Sequence, residues 1–185
     1  MRYLPQRKKL RLRDYDYSQS WYYFVTICTR DRGHFFGDIV DGKIVMNQNA
    51  KIAEKVFQEL PNHYDNCKID EYIFMPNHFH GIIMIQNSVG NGLWPFRDSE
   101  SFRDSESFHK KQHGLSEIIR GFKTFSSKNI NESQQEEYFA WQKSFYDVII
   151  RNQEQLLKTR EYIILNPVKW EEDINNPKNI KQWKK

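Results

Sequence analysis

Residues 75–85 constrain the fold of this chain more than any other stretch. Met75, Pro76 and Asn77 lead into His78, Phe79 and His80, and Gly81 opens an aliphatic run that ends at Ile85. Side chains on a strand alternate between faces, so His78 and His80 point the same way while Phe79 enters the other layer. The residues from 81 to 85 read as buried strand, which would hold the two imidazoles on a rigid element, as a metal or catalytic site requires. Taken alone, the pair also suits two hydrogen-bonded, partly exposed histidines.

The preceding residues, 68–75, read as a second strand, and the Pro76-Asn77 bend makes the two an antiparallel pair with the histidines just past the bend. Residues 21–29 (Trp, Tyr, Tyr, Phe, Val, Thr, Ile, Cys, Thr) form the densest β-branched and aromatic run and predict a central strand. A weaker strand at 43–46 follows the Asp41-Gly42 turn signal. Ala50, Ala53, Val56, Phe57 and Leu60 recur at helical spacing until Pro61, and Leu115, Ile118, Ile119, Phe122, Phe125 and Ile130 mark a second helix. Residues 141–150 predict a further strand, and a last helix runs from about Gln153 to about Asn166, before Pro167. The order is strand, strand, helix, strand, strand, helix, strand, helix. It suits an α+β fold, an antiparallel β-sheet with helices packed on one face, as in ferredoxin-like and RNA-recognition sandwiches.

A chain of 185 residues is one domain's worth. The reading is a basic N-terminal arm over 1–20, one domain over 21–170 with a flexible loop at 87–114, and a basic tail over 171–185. The loop holds a tandem hexapeptide, Phe-Arg-Asp-Ser-Glu-Ser at 96–101 and again at 102–107. Two copies of six residues cannot make a solenoid and read as a tolerated duplication. Charge is unevenly placed: the first 13 and last 8 residues carry ten basic groups and no acid, leaving a body with 24 acids against 18 bases. Basic ends suit a polyanion, and Arg7, Lys8, Lys9, Arg11 and Arg13, interleaved with leucines, are candidates for nucleic-acid contact. Lys123 and Arg151 are further, weaker candidates, while the C-terminal lysines read as a solvated tail. Cys28 and Cys67 lack disulfide or metal-ligand spacing and read as free thiols, the first buried. With no signal-like segment and no membrane-length apolar run, the expectation is a cytoplasmic protein without membrane contact.

On the last helix, Leu156, Leu157, Ile163 and Ile164 cluster by helical arithmetic into one apolar stripe. Tyr162 then lies on the opposite, polar side, with Gln155, Lys158, Thr159 and, one turn on, Asn166.

Three separated stretches together carry a resemblance. His78-Phe79-His80 resembles the histidine-hydrophobic-histidine signature of HUH endonucleases, and residues 162–168, Tyr162 to Val168, resemble the tyrosine helix of single-tyrosine transposases. With residues 75–80 and 141–151 they resemble the REP-associated tyrosine transposases (RAYTs), relatives of insertion-sequence transposases, over roughly 10–175. The hexapeptide duplication is outside that pattern. The resemblance implies that His78, His80 and Asn166 hold one Mg²⁺ or Mn²⁺ and that Tyr162 is the nucleophile, giving a 5′-phosphotyrosine and a free 3′-hydroxyl. Two imidazoles and an amide are a nitrogen-rich set for Mg²⁺, so Mn²⁺ is at least as well suited. It implies single-stranded DNA beside hairpins, such as repetitive extragenic palindromes, as substrate, and a monomer or homodimer as the working form. Two other readings remain open at this point: a non-catalytic single-stranded nucleic-acid binding module, and a metal-dependent hydrolase with water as nucleophile.

Overall fold

The computed structural model describes residues 16–86, 112–134 and 137–180. The arm's five basic residues at 7–13, the duplicated hexapeptides and Lys181, Lys184 and Lys185 lie outside the described residues. In chain order the elements are β1 (Tyr22–Cys28), β2 (Gly37–Val40), β3 (Lys43–Met46), α1 (Gln48–Gln58), α2 (Leu60–His63), β4 (Cys67–Met75), β5 (His78–Ile85), α3 (Leu115–Ser133), β6 (Tyr146–Ile150), α4 (Gln153–Leu165) and α5 (Pro177–Ile180). Four strands form an antiparallel sheet in the order β4-β5-β1-β6, and β2 and β3 make a separate hairpin. The α+β antiparallel architecture expected from the element order is the one observed.

Each element has a local cause. Asn47 caps α1 by accepting a hydrogen bond from the Ala50 N–H, and Ala50, Ala53, Val56 and Phe57 bury its inner face. β5 is buried at all eight positions. Its odd-numbered side chains, with Tyr23, Val25 and Ile27 of β1, face α1 and α3, where Phe57, Phe74, Phe79 and Phe122 interlock at ring-centroid distances from 4.7 Å. A Cβ on Gly81 would come within 2.6 Å of the Phe79 ring and 3.3 Å of the Phe57 ring, so the glycine is what lets these rings pack against β5. Truncating a buried phenylalanine of this cluster to alanine costs ~3–5 kcal/mol.

The even-numbered side of β5 has its own cover. Ile82 packs with Ile150 of β6 and with Leu156 and Ile163 of α4. Thus α1 and α3 lie on one face as expected, while α4 crosses the other. A strand with both faces apolar requires cover on both sides, and the helix carrying Tyr162 supplies the second.

Four details depart from the sequence reading. The last strand is only Tyr146–Ile150, because the chain at 142–145 leaves the ladder after a single bridge between Trp141 and Thr29. β2 was not expected; its four residues are short and alternate only half-buried side chains. Of the two thiols, Cys67 is buried and Cys28 only half-buried, because Cys28 falls on the α4 side of β1. Finally, α4 packs along Leu156 and Ile163, whereas Leu157 and Ile164 are 54% and 58% exposed. The line between those two anchors is occupied by Arg160, paired with half-buried Asp70, and, beyond Ile163, by buried Asn166, polar groups that hydropathy reads as surface. Tyr162 therefore sits on the flank of the packed face.

Arg160 fastens α4 to the sheet. Its Nε and Nη2 donate to the two carboxylate oxygens of Asp70 at 2.7 and 2.6 Å. The β4–β5 register shifts between Ile69 and Tyr72, a bulge that contains Asp70. Burial alone would raise the Asp70 carboxyl, but the hydrogen bonds from Arg160 and the Glu71 N–H outweigh it and hold it below the usual range. A depressed folded value adds stability above the ordinary carboxylate pKa, ~4, which is lost as pH falls through the depressed value. With Arg160 about one-third exposed, Asp70→Asn should lower stability at pH 7 by ~1 kcal/mol. In urea denaturation at stepped pH, that gap should close in acid.

Candidate metal and nucleophile site

The strand register builds the site. Antiparallel pairing sets Thr26 of β1 opposite His80 and Cys28 opposite His78. Thr26 Oγ1 lies 2.8 Å from His80 Nδ1, and Asn77 Oδ1 lies 2.8 Å from His78 Nδ1. Asn77 directs its Nδ2 hydrogens to the Asn175 and Arg32 carbonyls, so its Oδ1 is an acceptor and the proton of neutral His78 is on Nδ1. His78 Nε2 is thereby bare. If Thr26 donates to His80 Nδ1, His80 Nε2–H bridges to His78. If Thr26 accepts, both Nε2 lone pairs are offered to a cation.

Those two Nε2 atoms are 3.0 Å apart, and Asp173 Oδ2 is 3.8 Å from that of His78. The three side chains offer ligand atoms that all lie within 4.8 Å of one another, and all three residues are buried. Two ligands at right angles around an octahedral ion with ~2.1 Å bonds stand ~3.0 Å apart, so the imidazole spacing fits Mg²⁺ or Mn²⁺. The carboxylate adds the hard, charged oxygen that two imidazoles and an amide lack.

Burial pushes His80 from 6.5 to about 3. The same burial, with the neighbouring His80 and Arg32, holds His78 well below its ordinary value. Both are neutral near pH 7, the state in which imidazole binds a metal. Phe24 stacks on His80 at a centroid distance of 5.3 Å, and Trp170 on His78 at 6.0 Å, which fixes both rings.

From the other side, α4 delivers Tyr162, whose hydroxyl is 3.4 Å from His80 Nε2. Its ring meets those of His80 and Phe24 edge-on. Burial first, and then the Asp173 carboxylate, push the phenol up from 10, while a side-chain hydrogen bond with Asn166 pulls it down. Asn166, at the C-cap of α4, is 3% exposed and its Oδ1 has no hydrogen-bond partner. An orphaned carbonyl oxygen in a buried site is a ligand in waiting for a cation.

Of the residues singled out in the sequence, the fold gathers His78, His80 and Tyr162, with Asn166 against Tyr162. Lys123 is elsewhere: it sits on α3, across the sheet from the histidines, where its Nζ donates to the Gln142 and Lys143 carbonyls. Arg151 is exposed just before α4, its N–H donating to Gln155 Oε1. Asp173 was missed because it lies in the stretch taken as tail. The described part of that stretch holds a packed turn instead: Asp173, Asn175 and Asn176 are buried, Arg32 donates to Asn175 Oδ1, and Asn176 donates to the Trp170 carbonyl. The signal was the Asp-x-Asn-Asn-Pro turn chemistry after Trp170, which marks an ordered turn.

No family model matches the chain. An uncharacterized protein of Haemophilus influenzae is 31% identical over 175 residues, spanning 92% of this chain and 93% of that protein. The chain belongs to that protein's family. Among solved structures, a REP-associated tyrosine transposase bound to a REP hairpin has the same fold, with a TM-score of 0.56 over 94% of this chain and 79% of that one at 16% identity. This chain thus shares the fold of the protein that its histidine and tyrosine motifs resemble. Among the described residues, no helix is long and apolar enough to cross a membrane.

Mn²⁺ titration followed by electron paramagnetic resonance tests the cluster. His78→Ala and His80→Ala should each weaken binding more than ~100-fold, and Asp173→Asn by ~10–100-fold. Unchanged binding in Asp173→Asn would return the third position to Asn166 alone.

Proposed function

We propose that this protein is a metal-dependent single-stranded DNA transesterase of the single-tyrosine HUH kind, cutting and rejoining DNA beside hairpins. The observation that carries this reading is the Tyr162 hydroxyl 3.4 Å from His80 Nε2, at the edge of a buried His-His-Asp set. A nucleophile and a metal-ligand cluster delivered by different elements to one point is the arrangement phosphoryl transfer needs.

His78, His80 and Asp173, with Asn166 as a further oxygen donor, would hold one Mg²⁺ or Mn²⁺. Bound there, the ion would polarise a phosphodiester oxygen and offset the charge that builds on phosphorus. Thr26 and Asn77 orient the imidazoles, and Phe24 and Trp170 exclude water from them. Tyr162 loses its phenolic proton to water, and the Asn166 hydrogen bond favours the ionised oxygen. That oxygen attacks phosphorus, the bond from phosphorus to the 3′ oxygen breaks, and the 3′ oxygen departs as a hydroxyl after taking a proton. The 5′-phosphotyrosine so formed keeps the phosphodiester energy, so a 3′-hydroxyl can reverse the step and join strands. The basic residues at 2–13 would grip the hairpin phosphates, with the enzyme acting as a monomer or homodimer.

Incubated with Mn²⁺ and labelled hairpin DNA bearing unpaired flanks, the wild type should give a protein-DNA band that survives denaturation and disappears with EDTA. Tyr162→Phe should give none. Cleaved DNA with a free 5′-phosphate and no adduct would favour water as nucleophile, and metal-independent binding without cleavage would favour a binding module.

A further inference from the structure

Beside Tyr162, on the side away from the histidines' strand, the α4 face of the sheet opens into a cleft of about 380 Å³. Its floor is Phe24 of β1 with Val148 and Ile150 of β6, and its wall is Gln155, Lys158, Thr159 and Tyr162 of α4. The register explains the floor: Phe24 pairs with Val148 and Tyr22 with Ile150, so alternate residues of two strands turn the same way. Val148 is 38% exposed, an apolar side chain left uncovered at the sheet's edge strand.

The wall is polar in a directed way. Gln155 Oε1 accepts from the Arg151 N–H, which fixes one end of the amide and leaves the Nε2 hydrogens for another acceptor. Thr159 Oγ1 donates to the Gln155 carbonyl, so toward any ligand the hydroxyl is an acceptor. A donor and an acceptor one helical turn apart stand over a flat apolar floor. Lys158, paired with Glu154 and largely solvent-exposed, brings a cation to the rim. A planar group with an apolar face and a hydrogen-bonding edge, attached to a phosphate, matches all three features. The cleft is at the small end of ligand pockets, ~300–1,000 Å³, which suits one nucleobase and not a duplex.

Resting on the function proposed above, we infer that this cleft takes the single unpaired base adjoining the phosphate that Tyr162 attacks, with its face on Phe24 and Val148 and its edge on Gln155 and Thr159. The cleft then does two things for the reaction. It accepts a base only from an unstacked strand, and it fixes the register of the scissile phosphate against the tyrosine. Gln155 and Thr159 become specificity-determining residues for the base next to the cut.

The test uses the full chain with Mn²⁺ and a library of hairpin oligonucleotides whose unpaired flanks are randomised, the cut sites being read by sequencing. The wild type should show at least a tenfold base preference at one position adjoining the cut. Gln155→Ala and Thr159→Val should flatten that preference while still forming the adduct. Val148→Trp, which fills the cleft from the edge strand, should cut normal flanks at least tenfold more slowly. It should cut a flank made abasic at that position as fast as the wild type does, a pattern that misfolding would not give. Equal preference in wild type and variants, or equal loss on normal and abasic flanks in Val148→Trp, would overturn the inference. A second arm separates it from the catalytic reading. Tyr162→Phe protein bound to hairpins with 2-aminopurine at flanking positions should perturb the fluorescence at one position only, and Val148→Trp should remove the change. If that signal is present but the wild type forms no adduct, the base cleft stands and the transesterase reading falls. If adduct forms without any such signal, the reverse holds.

Discussion

The structure depends on one strand having no water on either side. β5 is buried at every residue, and its two faces are covered by different layers: aromatic rings from α1 and α3 on one, α4 on the other. Two histidines on such a strand must be neutral and hydrogen-bonded or be ligands to a cation. The fold provides the first condition through Thr26 and Asn77 and leaves two Nε2 atoms, 3.0 Å apart, for the second. The same requirement for cover brings the tyrosine, because the helix that shields Ile82 is the helix that carries Tyr162. Stability and chemistry are therefore joined at α4, which the Arg160–Asp70 pair fastens to β4 two residues before the hydroxyl.

The C-terminal residues complete the site in a second sense. Asn175 accepts from Asn77 through its carbonyl and from Arg32 through its side chain, so the turn that presents Asp173 is tied to the residue that orients His78. A carboxylate brought beside two imidazoles in this way gives a donor set with two nitrogens and a charged oxygen. The Tyr162 phenol is raised by burial and by Asp173, so a cation bound beside it would act against both effects.

Much of this was legible in the sequence where the pattern was local. The aliphatic run at 81–85 after the histidine pair, the β-branched run at 21–29 and the spacing of Ala50, Ala53, Val56 and Phe57 each predicted an element that the fold contains. That His78 and His80 share a face was legible from the strand period alone, whereas Tyr162 stood out through the resemblance of its helix to that of single-tyrosine transposases. Asp173 was not, since the turn that presents it is held by contacts of Asn175 with Arg32 and Asn77, more than 90 residues away along the chain. The packed face of α4 was misjudged for a related reason. Arg160 and Asn166 lie where apolar residues would be expected, and only the bulge at Asp70 and the buried site explain them. The cleft beside Tyr162 was equally invisible, because it is made by the register of β1 against β6.

The central claim is that Tyr162 itself becomes covalently joined to DNA. Digesting the Mn²⁺-dependent adduct with protease and nuclease and locating the nucleotide remnant by mass spectrometry tests it most directly. A phosphonucleotide on the peptide containing Tyr162, assigned to that residue by fragmentation, is the predicted result. A remnant on any other residue, including the exposed Tyr146 on the same side of the sheet, would contradict it.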